Sequence, residues 1–300
     1  MFEEIELFGS KINIRNYFCS TNPNKFKEGN LKLNLYIKIT DSCNAKCQFC
    51  SNKEMQDYGQ LDLDKLKYVI THLKEKDMLN RIAITGGEPL LNLPLLNKVL
   101  NLIFDILPKA FVTLNTNGYN LRQVVELGCI NKLEGIHISR HHYDDTINNE
   151  IFGINVARTE DIKFVMDKVE NKKLIRLNCL LMRDYISSSE EVKEYLEYAS
   201  KLNIFRVGFV ALMKTNDFSK EQFVSFDDVF KNLPNEFFSS GRYYDRKICE
   251  CINGLYIAKN GNLIEYYSRM TKELNCDYSR QLVYTSDNRL TMGFGKKSLI

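Results

Sequence analysis

The chain has no run of about 18 apolar residues of the kind that crosses a bilayer, so no membrane span is expected. It also has no excess of one charge. With 41 basic and 38 acidic residues the formal net charge is +3, which gives no global field for drawing in nucleic acid. The first residues, MFEEIELFGS, are acidic and lack the basic and apolar regions of a secretory signal, so the expected location is the cytoplasm. Nine cysteines is an odd number; without such a signal it argues against a disulfide framework and for thiols used on metal or in redox work. No internal repeat or low-complexity tract stands out. Tryptophan is absent, and that excludes nothing.

The 300 residues, 44% of them hydrophobic, suffice for one large core. Short apolar runs alternate with longer amphipathic ones, the pattern of βα units on a parallel sheet. Strands are predicted at Leu33–Ile39, Arg81–Thr85, Phe111–Asn115, Gly135–Ser139, Leu174–Leu181 and Phe205–Val210. Between most of them fall helical segments, such as LDLDKLKYVITHLKEK, LPLLNKVLNLIFDIL and SSEEVKEYLEYASKL; Asp62 and Ser188 are candidate caps for the first and last. Six such units predict an α/β fold, a partial (βα)6 TIM-like barrel over residues 33–217. Residues 1–32 form an N-terminal extension in which KINIRNYF is a candidate extra strand. Residues 218–300 are expected to form a small α+β appendage against the open side of the barrel. Two hairpins are predicted there, one turning at Asn260-Gly261 and one within LVYTSDNRLTMGF.

Parallel strands deliver all their C-terminal ends to one rim, which is where chemistry is expected. The segments leaving that rim are TDSCNAKCQFC, GGEP, TNG, RHHYDD, MRD and ALMKT. The first carries Cys43, Cys47 and Cys50 within eight residues, as C-x3-C-x2-C. Three thiolates can hold a [4Fe–4S] cluster and leave one iron for a non-protein ligand. A closed zinc site needs a fourth ligand at suitable spacing, and none lies nearby. Three unrelated buried cysteines would be the structural alternative.

C-x3-C-x2-C after the first barrel strand, with aromatic Phe49 before the last cysteine, resembles the signature of the radical S-adenosylmethionine (radical SAM) superfamily. The resemblance implies a [4Fe–4S] cluster on Cys43, Cys47 and Cys50 whose free iron chelates S-adenosylmethionine. It also implies reductive cleavage to a 5′-deoxyadenosyl radical that abstracts a substrate hydrogen. TGGEPLL is similar to the family's GGEP motif. By that likeness Gly86, Gly87, Glu88 and Pro89 bind the methionyl amine, with the glycines admitting the ligand and Glu88 accepting from the ammonium. TLNTNGYN resembles the segment beside the adenosyl group, which assigns Asn115 and Asn117. Ser139 is a candidate for the carboxylate or ribose, although His141 stands where the family often has an acid. IRLNCLLMRD resembles the matching strand of the molybdenum-cofactor GTP cyclase branch and puts Asn178 at the ribose.

The tail CECINGLYIAKNG resembles the start of a Twitch extension of the Twitch/SPASM type, making Cys249, Cys251 and Cys276 candidate ligands of an auxiliary [4Fe–4S] cluster. Its C-x-C spacing and Tyr266-Tyr267 depart from that pattern, so a degenerate extension without metal is the alternative. Cys19, Cys129 and Cys179 read as small buried hydrophobes. Arg140, His141 and Tyr143 are candidate catalytic, substrate-contacting residues; a solvated loop with a helix cap is the plainer reading. Arg176 and Arg206 suit buried ion pairs, or, for Arg206, an anionic substrate. The expected substrate is a ribosomal peptide or natural-product intermediate, with a nucleotide or sugar-like molecule as the alternative. A non-catalytic iron–sulfur electron-transfer or sensing protein is a more distant one. The expected partners are that substrate and a reductant such as flavodoxin or ferredoxin, with neither a membrane nor a nucleic acid.

Overall fold

The computed structural model describes residues 2–15, 31–50, 60–230, 238–245, 252–258, 263–267, 280–293 and 298–300. The chain opens with an antiparallel hairpin, β1 (Phe2–Leu7) and β2 (Ser10–Arg15), whose Leu7, Ile12 and Ile14 are buried in the main core. Six parallel strands follow in sequential order: β3 (Leu33–Lys38), β4 (Leu79–Thr85), β5 (Val112–Thr116), β6 (Gly135–Ser139), β7 (Ile175–Leu181) and β8 (Arg206–Ala211). All six coincide with predicted strands to within two residues at each end.

Helices return the chain between most of these strands. Crossover α1 (Leu63–Glu75) starts at Asp62, whose side chain accepts from the amides of Asp64 and Lys65 and so satisfies two donors of the first turn. Its Leu66, Val69, Ile70 and Leu73 recur at helical spacing and are buried. Helix α2 (Leu93–Ile106) joins β4 to β5, whereas short 3-10 turns join β5 to β6. Two helices, α3 (Asp145–Phe152) and α4 (Thr159–Lys168), lie between β6 and β7. The next crossover, α5 (Ser189–Lys201), begins with a capping box between Ser188 and Glu191. Short α6 (Asp217–Glu221) and α7 (Phe226–Phe230) follow β8.

The two faces of the sheet differ in chemistry because side chains alternate along a strand. One face, with Ile37, Ile84, Leu114, Ile138, Leu177 and Phe209 all fully buried, packs in the hydrophobic core. Alternate positions place polar residues on the other face, where the register aligns His137, Arg176 and Arg206 in one row and Ser139, Asn178 and Gly208 in the next.

The tail is the β-rich appendage expected at the open side of the barrel, and the register shows how it joins. It supplies β9 (Phe238–Asp245), β10 (Ile252–Ala258), β11 (Leu263–Tyr267), β12 (Gln281–Tyr284) and β13 (Leu290–Met292); the strands of both predicted hairpins pair, and the Asn260-Gly261 turn lies outside the described residues. These strands extend the barrel sheet itself: β11 runs parallel to β8, and β12 runs parallel to β3 on the opposite edge. An open six-stranded barrel leaves two edges with unpaired amides and carbonyls, and strands from the tail satisfy both.

Candidate active site

The cysteine loop leaves β3 at the barrel rim and is tied to its neighbours through main chain. Gly87 N donates to Thr40 O at 2.7 Å and Glu88 N to Ser42 O at 2.9 Å. This contact explains the glycine pair differently from the sequence reading. A Cβ on Gly86 would lie 2.4 Å from Thr40 O, and one on Gly87 would lie 2.0 Å from Ser42 O. The glycines admit the cysteine loop, and Gly86 also has φ +146°, a backbone that side chains rarely adopt.

Glu88 is fully buried. One carboxylate oxygen accepts from Leu90 N (2.9 Å) and Thr116 Oγ1 (2.6 Å), and the other from Asn117 N (2.6 Å). Burial raises its pKa to about 7, against the downward pull of those hydrogen bonds. The structure thus spends this carboxylate on joining the GGEP segment to the TNG segment rather than presenting it at the surface. Asn117 closes the circuit. Its Nδ2 donates to Asn44 Oδ1 at 3.0 Å and lies 3.9 Å from Cys43 Sγ, while its Oδ1 accepts from Tyr119 N. The loops after β3, β4 and β5 therefore form one hydrogen-bonded unit around Cys43.

Under that unit, Cys47 is buried with Phe152 and Val156, and Lys46 N donates to Phe152 O at 2.8 Å. His141 binds the same platform. Its ring stacks on Phe152 (4.9 Å, 12°) and meets Phe49 edge-on (5.2 Å, 78°), and its Nδ1 accepts from Leu180 N. His141 is thus a packing residue beside the cysteine loop. Arg140 and Tyr143, proposed from sequence alongside it, point elsewhere. Arg140 is fully buried, donates to the carbonyls of Ala157 and Tyr143, pairs with Asp145 at 2.6 Å, and lies 4.8 Å from the Tyr198 ring. Tyr143 donates to Glu194 on α5, which pushes its phenol up to about 12. Asp144 caps α3, as the plainer reading of RHHYDD expected, but the loop before it is not solvated, since Arg140, His141 and His142 are buried.

Asn115 Nδ2 donates to Ile84 O, and Asn178 Oδ1 accepts from Arg176 Nε at 2.8 Å. The Arg176 guanidinium fills the space over Gly208, where a Cβ would be 2.1 Å from it. His137, below Ser139, is held neutral by burial and by Arg176, Arg206 and Arg81. Cys129 and Cys179 are buried and free, as expected of small hydrophobes. Cys19, Cys249, Cys251 and Cys276 lie outside the described residues.

Cys43, Cys47 and Cys50 form no disulfide among the described residues and are exposed, buried and half-buried respectively. Among the described residues no three His, Cys, Asp or Glu side chains converge on one point, the arrangement that a single four-coordinate ion needs. Three thiols on one anchored loop are, by their chemistry, the donor set of an iron–sulfur cluster rather than of a closed four-coordinate site. The radical SAM superfamily profile matches residues 37–226, from the end of β3 to the start of α7. The chain belongs to the radical SAM superfamily.

Its curated relatives include GTP 3′,8-cyclases, which place it near that branch. The cyclase of Sulfurimonas denitrificans is 27% identical over 197 residues, covering 62% of this chain and 58% of the relative. One from Clostridium perfringens is 25% identical, covering 67% and 62% respectively. The chain thus spans 58–62% of the length of these relatives. Among solved structures, Streptococcus suis SuiB bound to precursor peptide SuiA shares the fold over 90% of this chain and 62% of its own, with a TM-score of 0.63 at 14% identity. As a radical SAM enzyme the protein uses a [4Fe–4S] cluster and S-adenosylmethionine. No helix among the described residues is long and apolar enough to cross a membrane.

Sequence reasoning missed Asn44 and Phe152. Asn44 sits inside the cysteine motif, so its place was legible in principle. The contact of Phe152 with the loop had no local signal, because it depends on how α3 docks.

Proposed function

We propose that Cys43, Cys47 and Cys50 hold the cluster and that the Gly86–Pro89 segment, Asn115, Asn117, Ser139 and Asn178 frame S-adenosylmethionine. When bound, the reduced cluster supplies the electron that splits S-adenosylmethionine into methionine and a 5′-deoxyadenosyl radical, which takes a hydrogen atom from substrate. The observation that carries this reading is the hydrogen-bonded unit joining the loops after β3, β4 and β5 around Cys43. Glu88 acts in it as a brace, leaving the main chain of its segment to meet a methionyl group. Phe49, packed on His141, shields the loop from below.

The substrate lies against the polar face of the sheet, and the first reading is a ribosomal peptide or natural-product intermediate. Its support is the fold shared with a peptide-binding radical SAM protein across nearly the whole chain. A nucleotide or sugar-like substrate is the second reading, favoured by the His137–Arg176–Arg206 row and by the cyclase relatives. Reduction by flavodoxin or ferredoxin in the cytoplasm completes the proposal, with residues 33–217 as core and 218–300 as an extension that is either degenerate and without metal or holds an auxiliary cluster on Cys249, Cys251 and Cys276, two readings that iron content separates.

Anaerobically reconstituted protein given dithionite and S-adenosylmethionine is expected to release 5′-deoxyadenosine, and Cys43→Ala to release none. A Cys43→Ala variant that stayed active would sink the ligand assignment. Incubation with deuterated candidate peptides and nucleotides, read by mass spectrometry for deuterium carried into 5′-deoxyadenosine, separates the two substrate readings.

A further inference from the structure

Strand β12 runs parallel to β3, with Tyr284 opposite Ile37, so the turn after β12 arrives at the rim where the cysteine loop begins. There the fully buried Ser286 donates to Asp41, two residues before Cys43. The other Asp41 oxygen pairs with Lys38, whose side chain is also buried. Two residues further along the same turn, Asn288 grips the far end of the loop. Its Oδ1 accepts from Asp62 N at 2.7 Å, and its Nδ2 donates to Gln60 O at 3.0 Å. Tyr284 adds a bond from its hydroxyl to Asp62 O at 3.3 Å. Asn288 has φ 64°, a left-handed backbone that asparagine tolerates. One short turn therefore holds both ends of the connection that carries all three cysteines.

We infer that the β12–β13 turn is a clasp for the cluster loop, with Ser286 and Asn288 as positioning residues; this rests on the reading of Cys43, Cys47 and Cys50 as cluster ligands. The physical reason is ordering cost. Three thiolates must meet a rigid cluster at fixed spacing, and a loop free at either end loses that freedom when it binds. Anchors at Asp41 and at Gln60–Asp62 fix, on folding, the two points from which the cysteine segment reaches the cluster. The clasp comes from the far end of the sequence, so the loop is complete only after β12 has joined the barrel edge.

The test uses the full chain, reconstituted with iron and sulfide, and follows loss of the cluster's visible absorbance to an iron chelator. Ser286→Ala combined with Asn288→Gly removes the side-chain bonds and keeps a residue suited to the left-handed position. The expected result is cluster loss about ten-fold faster, the scale of one to two net hydrogen bonds. An altered electron paramagnetic resonance spectrum of the reduced cluster with S-adenosylmethionine should accompany it. Ser286→Thr with Asn288 unchanged retains the hydroxyl and both amide bonds, and is expected to keep most of the wild-type behaviour. Unchanged cluster loss in the double variant, while Cys43→Ala still abolishes the native cluster, overturns the clasp alone. A Cys43→Ala variant that keeps a full cluster overturns the ligand reading and the clasp with it. Faster loss that merely tracks a lowered unfolding temperature, with an unaltered spectrum, also overturns the positioning role.

Discussion

Two polar segments leave adjacent strands at the same rim and do opposite work. After β5, Thr116 and Asn117 face the neighbouring loops and bind Glu88, Asn44 and the edge of Cys43. After β6, Arg140 and Tyr143 turn away from the cysteines and tie the rim to Asp145, Tyr198 and Glu194. Between them, His141 belongs to the first group by contact and to the second by sequence. Polarity at a barrel rim thus marks two kinds of joint: loop to loop, which shapes the site, and loop to helix, which holds the shell.

That contrast can be broken by experiment. The largest effect is expected at the loop-to-loop joint. In Gly87→Ala the new methyl meets the Ser42 carbonyl, forcing the cysteine and GGEP loops apart, and iron incorporation and 5′-deoxyadenosine release should both collapse. A fully loaded, active Gly87→Ala would show that the close approach is dispensable. At the loop-to-helix joint, Arg140→Ala removes the ion pair with Asp145, which keeps its bonds from Thr159, and takes the guanidinium donors from the carbonyls of Ala157 and Tyr143. It should cost roughly 3 kcal/mol in denaturant unfolding, yet leave cluster binding intact in the folded fraction. Loss of the cluster from folded Arg140→Ala would erase the distinction.

Glu88 provides a pH test of the first joint. Its folded pKa of about 7 lies above the ordinary value of 4.5, so the fold favours the protonated carboxyl. The corresponding stability is fully present below pH 4.5 and is lost as pH rises through 7. Denaturant titrations across that window should show this decline, and Glu88→Gln should flatten it. An equal slope in both proteins would mean that another group is responsible. The smallest effect is expected from Tyr143→Phe: a stability change within about 0.5 kcal/mol and undiminished 5′-deoxyadenosine release. Loss of release would return Tyr143 to the site.

The barrel was legible because its signals are local. Alternation in β3 to β8 and helical spacing in α1, α2 and α5 each need only a short window, and the caps at Asp62 and Ser188 sit beside what they cap. The cysteine spacing is equally local. Less legible were partners that converge from distant segments. The GGEP glycines were read as making room for a ligand, but the close approach they permit is that of the loop after β3. The tail's two hairpins were legible too, but not the edges they extend, since nothing in a hairpin's own residues says which strand it will join.

By itself the sequence determined the parallel strands, their order, and three thiols on one loop, because periodicity and spacing act between near neighbours along the chain. Only the tertiary structure decided that Glu88 braces Asn117, that Arg140 serves the shell, and that Ser286 reaches Asp41 across 245 residues. Those pairings depend on which strands lie side by side, and hydrogen bonds form by distance in space.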